Sequence, residues 1–212
     1  MIPLLLALLA GFLLGSIPTG FLVAKSRGID IRQHGSGNIG ATNVLRTLGK
    51  GPGYFVFVAD ALKGVLSVLV AGWIATQFQG GGDWARILGG IGCILGHNFT
   101  PWLGFKGGKG VATSAGVLLA LFNPLVLLAV LAVWLIVFFV SRYVSLASIC
   151  AGIALPLCVL TAITFGRGSL PDFIFSVVVA ALLVLRHKTN IQRLLAGTES
   201  RFEKKPKNSS IK

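Results

Sequence analysis

Acidic side chains are scarce in this chain: six Asp and Glu stand against 19 Lys and Arg in 212 residues, a formal charge of +13. Charged residues of either sign make up only 12%, against about a quarter in soluble domains. With 54% apolar residues and a mean hydropathy of +0.84, a soluble protein is excluded and an all-α polytopic membrane protein is expected. In such a chain a basic excess marks orientation, so nucleic acid is not an expected partner. Cysteine is also sparse: Cys93, Cys150 and Cys158 fall inside apolar runs without a close pair, which leaves neither a disulfide framework nor a zinc site. No repeat is visible, and the two halves are not inverted copies, which counts against the common secondary-transporter plan. No basic residue precedes the first apolar run, so it reads as a span, not as a cleavable signal.

Apolar runs cover residues 2–24, 52–77, 84–103, 111–141, 144–165 and 171–185. The fourth is too long for one ordinary span of about 20 residues. Asn123-Pro124 divides it, since Pro suits a first helical position, giving a short helix over 110–122 and a full one over 124–140. The count is seven transmembrane helices, the fourth short, with the N-terminus outside and the C-terminus cytoplasmic. Sixteen of the 19 Lys and Arg then lie in the cytoplasmic segments 25–51, 104–109, 141–143 and 186–212, as the positive-inside rule requires. Residues 1–203 read as a single membrane-embedded domain and 204–212 as a basic, disordered tail.

Between the first two runs lies a stretch with neither bulk nor charge until Arg46: Gly35-Ser36-Gly37-Asn38-Ile39-Gly40-Ala41-Thr42-Asn43-Val44-Leu45-Arg46. Its glycines let main-chain N–H groups approach a ligand, and residues 41–46 can wind into a short helix ended by Gly49. The N-terminus of that helix favours an anion, which makes Gly37, Asn38, Thr42 and Asn43 candidates for a phosphate cradle. The Gly35, Gly37, Gly40 spacing satisfies a dinucleotide fingerprint, but a membrane span precedes it where that motif needs a strand. A flexible connector remains an alternative.

A second glycine-rich stretch follows the third run: Gly96-His97-Asn98, then Phe105-Lys106-Gly107-Gly108-Lys109-Gly110-Val111-Ala112-Thr113. Lys106, Gly107, Gly108 and Lys109 beside a helix start combine backbone donors with point charges suited to phosphate. Gly110 stands where a P-loop needs Ser or Thr, so it is not that motif, and the lysines also serve as topology markers. The third constellation runs from Arg186-His187 through Asn190 and Arg193 to Glu199 and reads as an interfacial helix ending at Gly197. Asp60 and Lys63, i and i+3 within the second run, are either functional or a self-neutralising pair. Ser145 begins the sixth helix on the same face as these motifs.

These three stretches resemble the cytoplasmic motifs of the bacterial PlsY family: Gly35-Ser36-Gly37-Asn38-x-Gly40-Ala41-Thr42-Asn43-x-x-Arg46, Gly96-His97 with Phe105-Lys106-Gly107-Gly108-Lys109-Gly110-Val111-Ala112-Thr113, and His187-x-x-Asn190-Ile191-x-Arg193-Leu194-x-x-Gly197-x-Glu199. They occur in the same order, and the likeness extends to about Phe202. The resemblance implies a glycerol-3-phosphate acyltransferase of the bacterial cytoplasmic (inner) membrane. It would move a fatty acyl group from acyl phosphate to the 1-hydroxyl of glycerol 3-phosphate, with lysophosphatidic acid and phosphate as products. It further implies that Ser36 and Arg46 belong to the catalytic centre with His187 and Asn190, that the Lys109 loop binds a substrate phosphate, and that Glu199 holds the third motif in place. No cofactor or metal is implied, and a monomer in the lipid bilayer is expected. The departing phosphate is expected to take the acceptor's proton, with His187 orienting the acceptor. A transporter for a phosphorylated metabolite is the rival reading. Against it, the polar residues gather on one face of the membrane.

The topology makes a direct prediction. Single cysteines at Ser36, Gly107 and Thr198 should react with an impermeant thiol reagent only from the cytoplasmic side. Reaction of position 198 from the outer side would refute seven spans.

Overall fold

The computed structural model describes residues 1–202, so the basic tail expected over 204–212 lies outside the described residues. Ten α-helices follow one another: α1 (Ile2–Ser16), α2 (Thr19–Lys25), α3 (Ala41–Leu48), α4 (Lys50–Gln77), α5 (Gly82–Asn98), α6 (Val111–Leu121), α7 (Pro124–Ser141), α8 (Val144–Thr164), α9 (Leu170–Arg186) and α10 (Lys188–Leu195). Among the described residues, four helical stretches are long and apolar enough to cross a membrane: 2–25, α4, α7 and α8. A fifth follows if α9 and α10, bent by 58° to each other, are taken as one broken span. At 17 residues α5 is too short to be counted with them, and α6 has only 11. The protein is a multi-pass membrane protein.

Local chemistry explains the breaks. Asn123 caps α7 by accepting the Leu125 N–H at 3.0 Å, and Pro124 opens the helix, so the apolar run from 111 to 141 divides there. Ser169 and Asp172 form a reciprocal capping box at the start of α9. The first run, expected to be one helix, is interrupted. Pro18 pushes Ile17 out of the helical region (ψ 113°), and α2 resumes after it. Side chains from elsewhere take the carbonyls at the break: Thr100 Oγ1 donates to Ser16 O at 2.6 Å and Lys63 Nζ to Ile17 O at 3.0 Å.

Small residues hold the bundle together, because lipid offers no hydrophobic gain for joining two apolar helices and close packing has to supply the attraction. Along the α1–α5 seam, Gly11 and Gly15 lie on the backbone of Gly89 and Cys93, while Gly92 and Gly96 lie on that of Leu8 and Phe12. Gly64 of α4 and Gly116 of α6 approach each other's helices in the same way. The apolar core runs from Val68, Ile87 and Ile94 through Val117 and Val126 to Leu155, Val159 and Phe175.

The packing also sets depth. Lys63 touches His97 at the end of α5, 13 residues beyond Lys50, which is about 20 Å along α4. The loop between α5 and α6 is therefore sunk well below the start of α4. Leu45 of α3 packs on α4 at Gly53, so the first motif lies nearer the rim. Gly107 is closed in, since a Cβ there would stand 2.1 Å from His97 O. Exposed Lys106, not Gly107, is thus the position for a labelling cysteine.

The α1–α5 seam can be tested by thermal unfolding in detergent. A Cβ on Gly15 would lie 2.0 Å from Cys93 O, so Gly15→Leu should abolish the folded protein. Gly51→Ala, with nothing within 4 Å, should change stability by no more than about 1 kcal/mol.

Candidate active site

The loop from 31 to 40 is built around Asn43, which is 2% exposed. Its Oδ1 accepts the Ser36 N–H at 2.9 Å, and its Nδ2 donates to His34 O and Asn38 O at 2.9 Å and to Ile31 O at 3.4 Å. Gly35 and Gly37, at φ 58° and 70°, make the tight turn, and a Cβ on Gly35 would strike Asn43 Oδ1 at 2.3 Å. Asn38 turns inward as well, its Oδ1 accepting the Gly40 N–H. Asn43 was a candidate for substrate contact, but both of its N–H bonds are committed to the loop and none is left for a ligand. The hydroxyls of Ser36 and Thr42 stay outside this knot. α3 begins at Ala41 and ends at Gly49 (φ 92°), the extent expected of it.

The second motif is fixed from below and from the side. Gly107 N–H donates to Asn98 O at 3.2 Å and Gly108 N–H to His97 O at 3.0 Å. Their own carbonyls are clasped by the Arg186 guanidinium at 2.9–3.1 Å, with its face over the Phe99 ring. Gly110, in the left-handed region, caps α6. Lys109 turns to the third motif, donating to Asn190 Oδ1, whereas Lys106 is exposed and bonds no side chain among the described residues.

Glu199 joins the third motif to the rest. Its Oε1 accepts from Asn190 Nδ2 at 2.6 Å and Ser145 Oγ at 2.7 Å, and its Oε2 from Arg193 Nε at 2.7 Å. Burial pushes this carboxyl up, but the three hydrogen bonds outweigh that and hold it below its ordinary value. The Ser145 hydroxyl, a candidate for substrate contact, is thereby committed to Glu199. The chain then returns past Arg46, which donates to Ser200 O at 3.1 Å and stacks on Phe202.

His187 sits at the bend between α9 and α10 and is 2% exposed. The Leu183 carbonyl can only accept, so Nδ1 of His187 carries the hydrogen at 2.8 Å and Nε2 keeps its lone pair. Burial, with Lys109 and Arg186 nearby, pulls the imidazole down to about 4, so it is neutral at pH 7. Lys109 is lowered to about 8, first by burial and then by the charges of Arg193, Arg46 and Arg186, against which Glu199 acts. Four cations thus share one carboxylate, a field built for an anion. Among the described residues no three His, Cys, Asp or Glu side chains come together as a metal site.

The three motifs meet: hydrogen bonds join Lys109, Asn190, Ser145, Arg193 and Glu199, and Arg46 bonds the Ser200 carbonyl next to Glu199. His187 lies near the charges of Lys109 and Glu199, and its ring bonds only Leu183 O among the described residues. No bond links Ser36, Gly37 or Thr42 to this group. Two residues missing from the expected site are structurally central: Arg186, which holds the glycine loop, and Arg193, which holds Glu199. Both lie in the third constellation, where a cation near a helix end reads equally well as a topology marker.

The chain belongs to the glycerol-3-phosphate acyltransferase family, matching it over residues 5–197. It is 50% identical over 204 residues to the glycerol-3-phosphate acyltransferase of Thermosynechococcus vestitus (strain NIES-2133 / IAM M-273 / BP-1), covering 93% of this chain and 94% of the relative. With the enzyme of that name from Synechococcus sp. (strain CC9902) the identity is 48% over 205 residues, 96% and 97% of the two chains. Among solved structures it is similar to PlsY (YgiH), described as an integral membrane glycerol 3-phosphate acyltransferase. In the glycerol 3-phosphate form the TM-score is 0.83 at 43% identity, over 94% of this chain and 96% of that one. The lysophosphatidic acid form gives 0.81 at 42%, over 94% and 95%.

The position of Lys109 predicts a pH dependence. Its lowered pKa means that the free protein holds the ammonium below about pH 8 and loses it above. The apparent affinity for glycerol 3-phosphate should therefore fall as pH rises through about 8. Lys109→Arg should remove this limb wherever it still binds, because guanidinium stays charged. The same limb in Lys109→Arg would assign it to another group.

Proposed function

We propose that this protein transfers a fatty acyl group from acyl phosphate to the 1-hydroxyl of glycerol 3-phosphate at the cytoplasmic face of the bacterial inner membrane. The observation that carries this reading is the convergence of Arg46, Lys109 and the sunken glycine loop on one cationic site beside a buried, neutral histidine. Support comes from the family, whose name is glycerol-3-phosphate acyltransferase, and from the similar PlsY (YgiH), whose crystal structures are of a glycerol 3-phosphate form and a lysophosphatidic acid form. Acyl phosphate suits the site as donor because both of its ends find a place: the phosphate among the cations and the tail between apolar helices.

In this reading seven helices cross the membrane, α6 is the short fourth span, and residues 1–203 act as one monomeric domain with the N-terminus outside. Lys109 and the α6 N-terminus hold a phosphate, Arg46 and Ser36 face the reacting carbonyl from the rim, and Glu199 aligns Asn190 and Arg193. His187 Nε2 accepts a hydrogen bond from the glycerol moiety and orients it. The 1-hydroxyl oxygen attacks the acyl carbon, the bond from that carbon to the phosphate oxygen breaks, and the departing phosphate takes the hydroxyl proton. No metal or cofactor enters, because the phosphate is already a good leaving group.

Purified protein given acyl phosphate and labelled glycerol 3-phosphate should yield lysophosphatidic acid. Uptake into liposomes without product would establish a transporter instead. Arg46→Ala should lower turnover about 10²–10³-fold, as removal of a preorganised donor does. His187→Asn should mainly raise the half-saturating glycerol 3-phosphate concentration. A general base would instead cost about 10²–10⁴-fold in maximal rate at unchanged half-saturation.

A further inference from the structure

Under the glycine loop lies a buried polar group that the reaction above does not use. Asp60 and Lys63 stand one turn apart on α4 and His97 lies in the last turn of α5, with exposures of 1%, 6% and 5%. Lys63 Nζ lies 2.8 Å from Asp60 Oδ1, 3.0 Å from Ile17 O and 2.9 Å from His97 Nδ1. Lys63 donates to Ile17 O and faces Asp60 as an ion pair, and an ammonium has no lone pair, so His97 Nδ1 is an acceptor. The hydrogen of the neutral imidazole is then on Nε2.

That edge of the ring meets the glycine loop. A Cβ on Gly108 would stand 2.1 Å from His97 Nε2, and the backbone carbonyls of His97 and Asn98 accept the Gly108 and Gly107 N–H groups. A self-neutralising pair needs only Asp60 and Lys63. The other two bonds of Lys63 reach different elements, the break after α1 and the end of α5, so the lysine joins three elements directly beneath the loop. The floor is polar beyond this cluster: the Asn98 amide and the Thr113 hydroxyl, both with no exposed surface, have no partner among the described residues.

We propose that Asp60, Lys63 and His97 are positioning residues for the phosphate loop. Lys63 fixes the tautomer and tilt of His97, and the His97 ring and carbonyl set the height of Gly108 and of Lys109 after it. The proposal rests on the reading that this loop receives a substrate phosphate.

The test uses the full chain and two replacements of His97. Glutamine places an amide nitrogen where Nε2 was, while asparagine keeps only a group near Nδ1. His97→Asn should raise the half-saturating glycerol 3-phosphate concentration about 10-fold or more, with the maximal rate within about threefold of wild type, as expected for a misplaced binding loop. His97→Gln keeps the edge under Gly108 but loses the Lys63 contact, so its half-saturating concentration should fall between those of wild type and His97→Asn, with the maximal rate within about threefold. The double variant Asp60→Asn with Lys63→Met leaves no lone buried charge and should behave like His97→Asn. Amide hydrogen exchange over 106–113 should be faster in His97→Asn and in the double variant. Equal behaviour of the asparagine and glutamine variants, wild-type half-saturation and exchange in folded variants, or losses that track only the folded fraction would each overturn the proposal. Absence of product with the wild type would instead refute the functional reading, and the exchange comparison would still decide the role of the cluster.

Discussion

The Glu199 carboxylate is the point on which the cationic site is balanced. It accepts from Ser145 at the start of α8 and from Asn190 and Arg193 on α10, and through Asn190 it orients Lys109. Removing it would leave four cations without their one counter-charge and Asn190 free to rotate away from Lys109. A buried charge whose partner is lost is far more costly than either an intact pair or no pair. The residue therefore secures the site without needing to touch a ligand.

Burial of backbone imposes the second constraint. A loop sunk below the start of α4 cannot leave its N–H and C=O groups to bulk water, and each has to find a partner or be turned to a ligand. Arg186 takes the Gly107 and Gly108 carbonyls, and α5 takes their N–H groups. What remains uncommitted is the first turn of α6, whose N–H groups have no partner earlier in the helix. The first motif meets the same demand through one side chain, since Asn43 takes four backbone groups of its own loop. Glycine is required at 35 because a Cβ would strike Asn43, and at 108 because it would strike His97.

The helices could be read from the sequence because an apolar run bounded by Pro, Asn or basic residues states both its extent and its ends. Asn123-Pro124 divides the long run where the capping chemistry demands. The break at Pro18 was missed because hydropathy averages over it, although the residue before a proline carries the signal. For the site, the resemblance of the three motifs to one family put Arg46, Lys109, His187 and Asn190 together, but it could not say which polar side chains face a ligand and which face the protein. Asn43 and Ser145 have the same chemistry as ligand-binding residues, and only their partners show that they are committed elsewhere. Arg186 was hidden because topology already accounted for its charge. The link from Lys63 to His97 joins residues 34 apart and has no sequence signature.

The field of the site separates binding from rate. Burial first, and then the neighbouring cations, lower Lys109 from 10.5 to about 8, a penalty of roughly 3 kcal/mol at about 1.4 kcal/mol per pKa unit. A phosphate dianion placed among Arg46, Lys109 and the α6 N-terminus relieves it. In the proposed reaction, however, both substrates and both products carry phosphate. An attraction common to all of them lowers concentrations for half-saturation without lowering the barrier. Acceleration must come from donors that meet charge only as it develops on the acyl oxygen and the departing phosphate. The groups able to do this are those the fold has not consumed: the remaining Lys109 N–H bonds, the part of the Arg46 guanidinium not given to Ser200, and the Ser36 hydroxyl. The extensive structural hydrogen bonding of Asn43, Arg186, Arg193 and Glu199 keeps those few donors still, and a donor already in place adds no reorganisation when the charge appears.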